Sequence, residues 1–205
     1  MAAADTRGHS HINVKRLVMW GLTTDEDDGT TYDSIVYEFK KSTMSAKYTP
    51  RAETAEQHGD GIKVEDYVAK DGGDLEIKLT GFKAGDGEFL FGETKTKDGV
   101  EISGSDDIVP YKCVAYMTER PDGKVNLYKF PKVKFMPQGE TADQREGSKI
   151  SYGDASIKGT YSPLLSTHAE QYRKLGADPG DATDKALIEK WFTEAAYYTA
   201  DTVSP

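Results

Sequence analysis

The stretch from Tyr111 to Phe135, YKCVAYMTERPDGKVNLYKFPKVKF, decides the fold. Two runs rich in β-branched and aromatic residues flank Pro121-Asp122-Gly123, where proline presets φ and glycine accepts the positive φ of a tight reversal. The pattern therefore predicts a β-hairpin. Bulky side chains alternate onto both faces of each arm, so we expect the second face to meet another sheet, a helix or a second subunit.

Composition restricts the function before any motif does. The chain has 205 residues, of which 37% are hydrophobic and 30% charged, with a formal net charge of −9. This charge disfavours tight, sequence-independent binding to nucleic acid, which needs Lys and Arg. The single cysteine, Cys113, excludes an intrachain disulfide and is expected to be a buried hydrophobe. No targeting segment or membrane span is predicted, which favours a soluble protein made in the cytosol.

Alternating apolar residues predict a mainly β protein that grows by neighbouring strands. Between the strands, residues 41–61 lose this periodicity and predict a long loop of the kind that often binds partners. A second hairpin is expected to turn at residues 70–73. Apart from the central hairpin, the predicted strands are Ile12–Leu22, Tyr32–Lys40, Ile62–Ala69, Asp74–Phe82, Val100–Ile102 and Lys149–Tyr161.

Two helices are predicted. Phe89-Leu90-Phe91 followed by Gly92 indicates a short helix with a glycine past its end. Residues 184–198 place apolar side chains on one stripe of a longer amphipathic helix, which must pack against the sheet or a neighbour. We expect the chain to comprise a flexible extension over residues 1–11, a β domain over 12–165 and a C-terminal segment over 166–205. The residues expected to pack the C-terminal helix are Leu187, Ile188, Trp191 and Phe192.

Motifs for chemistry are nearly absent from the sequence. Residues 25–29 are acidic but lack the order of ligands of an EF-hand loop. Residues 85–87 begin like a nucleotide-binding glycine motif, but Leu90 stands where the third glycine belongs. The four histidines form no HExxH pair, and no GxSxG elbow occurs. The sequence therefore predicts no catalytic residue, no cofactor and no metal ligand.

A series of short landmarks runs from Ile12 to Phe192. In order they are Leu22-Thr23-Thr24-Asp25, Gly29-Thr30-Thr31-Tyr32, Gly59-Asp60-Gly61, Phe89-Leu90-Phe91-Gly92, Asp98-Gly99-Val100, Asp107-Ile108-Val109-Pro110-Tyr111, Tyr128-Lys129 and Trp191-Phe192. This order resembles the major tail protein family of long-tailed phages, specifically the phi13-type tail tube proteins. The resemblance lies in the succession of landmarks, and residues 1–11 depart from the family pattern.

The resemblance implies a β-sandwich or barrel of antiparallel strands flanked by a helix. It implies subunits that close into hexameric rings, which stack into the tail tube around a lumen for genomic DNA. The implied partners are the chain itself, the tape measure protein, and the tail terminator and baseplate proteins. DNA would pass without specific binding, no membrane would be involved, and the protein would reside in the virion tail after synthesis in the host cytoplasm. The resemblance favours a non-contractile tail.

Charge suggests how rings would stack. The first half of the loop over 41–61 carries basic residues and no acidic ones, whereas the turn at residues 25–28 is wholly acidic. Opposite patches on one subunit can pair head to tail, and a heterologous contact that does not close generates a filament. The predicted inter-ring contacts are Lys41, Lys47 and Arg51 on one side and Asp25, Glu26, Asp27 and Asp28 on the other.

Two other classes of function remain open at this point. A β-sandwich module that binds carbohydrate or a cell surface would expose aromatic platforms. The candidates for such platforms are Tyr32, Tyr37, Tyr48 and Tyr67, although strand propensity alone also explains tyrosines there. A hydrolase that uses paired carboxylates is the other alternative, and the sequence offers no framework for it.

Overall fold

This computed structural model describes residues 10–59, 62–137 and 154–196, and within them the side chains of all residues except 55–59 and 62–66. The chain is mainly β with antiparallel strands and two helices, as the sequence predicted. Neither described helix is long and apolar enough to cross a membrane. The elements are β1 Asn13–Glu26, β2 Gly29–Tyr32, β3 Tyr37–Glu38, β4 Thr43–Gly59, β5 Ile62–Leu79, α1 Asp86–Phe91, β6 Thr94–Lys95, β7 Glu101–Ile102, β8 Tyr111–Glu119, β9 Val125–Met136, β10 Ala155–Tyr161, β11 Tyr172–Ala177 and α2 Ala182–Thr193.

Nine of the described strands form one curled sheet. Its order is β2-β1-β8-β9-β10-β5-β4, with β3 beside β1 and β11 beside β9, and β6 pairs only with β7. The curl brings β4 close to β1, although no backbone ladder joins these two strands. The described strands therefore enclose a core as an open barrel does.

The central hairpin of β8 and β9 has an apolar core on each face, as its two-sided pattern predicts. The first core fills the inside of the curl and is closed by Leu90 and Phe91 of α1. The second core lies between the outer face of β1, β8 and β9 and the helix α2. A helix therefore covers the second face. The buried residues of this second core are Val18, Trp20, Cys113, Ala115, Val125, Leu127, Ala177, Trp191 and Phe192.

The loop predicted over residues 41–61 is wrong. Residues 43–59 form β4, which pairs antiparallel with β5 almost to the end of both strands. The hairpin predicted to turn at residues 70–73 is also wrong, because these residues lie inside the single strand β5. The chain instead reverses between Gly59 and Ile62. Residues 41–61 are mostly polar or small, so no alternation of polar and apolar residues marked β4, whereas the strands predicted over residues 62–69 and 74–82 fall largely within β5.

Contacts among the described residues cross the domain boundaries predicted from the sequence. His11 was assigned to a flexible extension, yet its Nδ1 lies 2.7 Å from the Thr118 hydroxyl. The C-terminal segment is not separate from the β domain, because β11 pairs with β9 in the main sheet. The helix α2 begins at Ala182, with Asp181 as its N-cap, and it ends at Thr193. Residues 1–9, and the part of the predicted strand over 149–153, lie outside the described residues.

Gly72 fixes the point where the ribbon of β4 and β5 leaves the barrel. Its φ is +62°, and a β-carbon there would overlap the carbonyl oxygen of Tyr161. Gly72→Ala is expected to cost about 1–2 kcal/mol for the left-handed conformation alone, with a further loss because the ribbon must shift. Thermal unfolding of Gly72→Ala beside Gly99→Ala measures this, since Gly99 also has a positive φ but no atom would contact its β-carbon. Equal losses in the two variants would show that the contact with Tyr161 contributes nothing.

Candidate assembly interface

The outer half of the ribbon, from Ala52 to Lys70, extends beyond the rest of the sheet, and we call it the arm. β10 pairs with β5 only from Gly73 onward, so the arm strands pair with each other alone. The described side chains on both strands of the arm are exposed. Tyr67 and Val68 have exposed fractions of 68% and 56%. An isolated two-stranded ribbon is at best marginally stable in water. The arm therefore has the properties of a segment that a partner completes.

A β-bulge forms the root of the arm. The register between β4 and β5 shifts from Pro50 opposite Gly73 to Ala52 opposite Lys70. Arg51 lies at this shift, where its guanidinium donates to the Gly73 carbonyl at 3.4 Å and lies 3.6 Å from Asp74 Oδ1. A bulge increases the local twist and bends the strand, so this bulge sets the direction in which the arm projects.

The outer edge of β4 carries no partner strand among the described residues. Such an edge presents backbone N–H and C=O groups that can pair with another chain. Pro50 lies on it, where its missing N–H disturbs no described ladder. The bulges at residues 43–45, 50–52 and 57–58 interrupt the edge. These features protect the edge against indiscriminate pairing.

The structure divides the predicted acidic turn into two parts. Asp25 is held inside the protein, where its Oδ2 accepts from Lys132 Nζ at 2.6 Å and its Oδ1 accepts from the Leu165 N–H at 3.1 Å. Its side chain is only 6% exposed. Glu26, Asp27 and Asp28 remain exposed at the end of β1 and in the following turn. Asp25 therefore has a structural role, and only the other three residues are available to a partner.

The three predicted basic residues lie along the body of β4 and not on the arm itself. Lys41 precedes β4 and has a positive φ of 57°, Lys47 is exposed in the middle of the body, and Arg51 occupies the root. The sequence from Ala52 to Asp66 contains five acidic residues and one lysine. The projecting part of the ribbon is therefore acidic, whereas its base is basic. Within one copy, no described ion pair joins these basic residues to the acidic turn.

The four residues predicted to pack the C-terminal helix lie against the sheet. Trp191 and Phe192 are buried, and Leu187 and Ile188 pack beside them. The indole N–H of Trp191 donates to the Tyr128 carbonyl at 3.2 Å. The N-cap Asp181 accepts from the backbone N–H groups of Thr183 and Asp184, which satisfies two donors at the start of the helix.

A buried lysine, which the sequence analysis missed, joins the end of α2 to the sheet. Lys129 is 0% exposed, and its ammonium donates to the Glu194 carbonyl at 2.7 Å. It lies 5.3 Å from the ring centres of both Trp20 and Trp191, which are cation–π distances. Burial lowers its pKa to about 8. A positive charge at a helix C-terminus complements the helix dipole. The sequence signal for its burial was that Lys129 follows the same alternation as the apolar residues Val125 and Leu127.

The described carboxylates near the first core are occupied by the protein itself. A cavity of about 660 Å³ lies beside β3 and α1. On its wall, Asp86 accepts from the Tyr37 hydroxyl and from the Lys83 N–H, and burial raises the pKa of Tyr37. Glu101 accepts from two backbone N–H groups of the α1 turn. These are structural hydrogen bonds. Among the described residues, no group of three His, Cys, Asp or Glu side chains can hold a metal ion.

No known family model matches this sequence, and no curated protein is significantly similar to it. Any functional assignment must therefore rest on the geometry of the arm, the free edge of β4 and the charges around them.

Proposed function

We propose that this chain is a structural virion protein whose copies form hexameric rings that stack into a phage tail tube, the conduit for genome delivery. The arm carries the proposal, because it is a two-stranded ribbon with exposed apolar side chains and no described partner. The hexamer and the phage context come from the resemblance of the sequence landmarks. The proposed location is the virion tail.

The physical argument for assembly concerns backbone groups and area. The free edge of β4 and both edges of the arm leave rows of N–H and C=O groups that only water satisfies in one copy. Pairing with a neighbouring copy gives these groups hydrogen-bond partners in the protein and buries Tyr67 and Val68. This burial stabilises the contact by about 25 cal/mol per Å² of apolar surface. Each contact is weak alone, but repetition around a ring adds through multivalency.

The charge of the chain suits a conduit for DNA. A net charge of −9 gives phosphates no general attraction to the protein, so DNA would pass through the lumen without being retained. The tape measure protein and the tail terminator and baseplate proteins are the further partners in this proposal. No cofactor or membrane takes part.

The carbohydrate-binding alternative has less support. Among its candidate tyrosines, Tyr32 donates to the Pro131 carbonyl, Tyr37 stacks on Phe89, and Tyr48 packs toward the first core. Only Tyr67 presents a largely exposed ring. Sugar platforms need an accessible aromatic face, and three of the four rings are engaged with the protein.

Electron microscopy of the purified protein over a range of concentrations tests the proposal. Rings or tubes with six-fold symmetry are the expected result. Analytical ultracentrifugation of the same samples should show mass increasing with concentration. A strictly monomeric protein at every concentration would contradict the proposal.

Charge reversal tests the predicted inter-ring contact. Replacing Lys41, Lys47 and Arg51 with Glu is expected to prevent tube formation or to shift it to high salt, because repulsion between like charges is screened there. Circular dichroism and melting should change little, since exposed ion pairs contribute about 0–1 kcal/mol each.

A matched triple variant controls for net charge. Lys97, Lys124 and Lys185 are exposed and lie away from β4, so replacing them with Glu makes the same change of six charges. This control should still assemble. Normal tubes from the Lys41, Lys47 and Arg51 variant would remove these residues from the contact.

A further inference from the structure

A cleft opens between β1 and β4, on the side of the barrel that no backbone ladder closes. The two strands are linked at one end, where the Phe39 N–H bonds the Leu17 carbonyl and the chain then crosses to β4. Beyond that point the strands leave a cavity of about 260 Å³. Its lining residues are His11, Val14, Ala46, Lys47, Tyr48, Tyr116, Thr118 and Tyr128.

The floor of the cleft is aromatic and its rim is polar. The Tyr116 and Tyr128 rings stack with their centres 5.0 Å apart, and Tyr48 lies 5.9 Å from Tyr128. His11 and Lys47 lie at the rim, and Lys47, on the unpaired edge strand β4, also lines the cavity on the opposite side of that strand. A site with stacked rings, a positive rim and a free strand edge fits an extended segment that carries an aromatic side chain and acidic residues.

The arm of this protein has this chemistry. Tyr67 is its most exposed aromatic residue, and Glu53 lies exposed on the partner strand. The sequence from Ala52 to Asp66 has a formal charge of −4, from five acidic residues and one lysine. Charge therefore favours an encounter between the arm and the Lys47 rim.

The geometry excludes the cleft of the same copy. Tyr67 pairs with Ala55, which lies seven residues beyond Tyr48 along β4. At about 3.3 Å per residue this separation is roughly 23 Å. The arm continues away from the cleft, and its ladder with β4 prevents it from folding back. Tyr67 can therefore reach such a cleft only in a second copy.

We propose that Tyr67, on the arm of one copy, inserts into the cleft between β1 and β4 of a second copy, with the Lys47 rim facing acidic residues of the arm. This inference rests on the proposed function and specifies the receptor for the arm. A head-to-tail contact of this kind uses different surfaces on the two copies, so it can repeat around a ring or along a filament.

Filling the cleft tests this contact. Ala46→Trp places a large ring in the cleft and is expected to abolish ring and tube formation in electron micrographs. Lys185→Trp is the matched control, because Lys185 is exposed on α2 and does not line the cleft. This variant should assemble as the wild type does. Assembly of Ala46→Trp to the wild-type extent would overturn the inference.

Photo-cross-linking covers the case in which Ala46→Trp fails to fold. Tyr67→p-benzoylphenylalanine keeps an aromatic group at the arm, and mixing this variant with nitrogen-15-labelled wild type separates contacts between copies by mass. Cross-links should join residue 67 to labelled peptides containing Tyr48, Tyr116 or Thr118. The same probe at Tyr111, which is 39% exposed on β8, is the control and should not reach these peptides.

The outcomes distinguish this contact from the proposed function. Tubes without cross-links to the cleft would overturn the arm contact and leave the proposed function standing. Cross-links to the cleft without tubes would support the contact and contradict the tail-tube function. Absence of both would overturn both.

Discussion

Replacing Trp191 and Phe192 together with alanine is expected to unfold most of the protein at ordinary temperature. Each truncation of a packed Trp or Phe costs about 3–5 kcal/mol, and domains of this size have about 5–15 kcal/mol in total. Both side chains are at most 2% exposed. The Trp191 variant also loses the hydrogen bond to the Tyr128 carbonyl, which leaves a buried acceptor without this donor.

Denaturant unfolding followed by circular dichroism measures this loss. Lys185→Ala is the matched control, because Lys185 is exposed on the same helix and alanine keeps the helix propensity. It should change the free energy of unfolding by less than about 0.5 kcal/mol. An unchanged denaturant unfolding curve for the double variant would mean that α2 does not pack on the sheet in solution.

Local patterns predicted the elements whose own residues determine them. The central hairpin combines a turn sequence with alternating apolar arms. The helix α1 ends directly before Gly92, whose φ of 76° suits a residue that follows a helix end. The stripe from Leu187 to Phe192 likewise follows from helix geometry alone. In these segments the type of element follows from local residues alone, although α2 packs through residues far away in sequence, as Trp191 does with the Tyr128 carbonyl.

The arm could not be predicted in the same way. Polar and apolar residues alternate in a strand that buries one face, and a ribbon that buries neither face needs no such alternation. Gly72 and Gly73 have the composition of a turn, but their glycines are needed because Tyr161 and Thr49 approach the backbone there. This contact joins residues far apart in sequence. The sequence therefore predicted a loop over residues 41–61, where the structure has the strand β4.

Arg16 shows how one residue changes the faces of a whole strand. Strict alternation along β1 would place Val14, Val18 and Trp20 on one face. The structure has a register shift between Lys15 and Leu17, with Arg16 at a φ of 46°. As a result Val14 packs with the first core, whereas Val18 and Trp20 belong to the second. A bulge of this kind depends on the pairing with β8, which a single strand pattern does not contain.

The pH dependence of stability should report the burial of Lys129. Burial lowers its pKa from 10.5 to about 8 in the folded protein. Below pH 8 the lysine is charged in both states. Between pH 8 and 10.5 the unfolded chain holds a proton that the folded protein has released, so the free energy of unfolding rises with pH. Over 1.5 pH units, from 8 to 9.5, the contribution of Lys129 alone amounts to about 2 kcal/mol at about 1.4 kcal/mol per unit.

Lys129→Met isolates this effect, because it keeps most of the side-chain volume and removes the titrating group. In urea unfolding at intervals from pH 7 to 9.5, the wild type and Lys185→Met should show this rise relative to Lys129→Met, because the contributions of Lys112 and Cys113, whose pKa values burial also shifts, are common to all three proteins. The interval stops below pH 10, since the buried Tyr116 has a raised pKa and would make stability fall at higher pH. Burial raises the pKa of Cys113 from 9.0 to about 12, so near pH 9 its thiol ionises only in the unfolded chain and lowers stability, equally in the wild type and both variants. The same rise in Lys129→Met would assign the pH dependence to another group and show that the ammonium at the end of α2 is not the source.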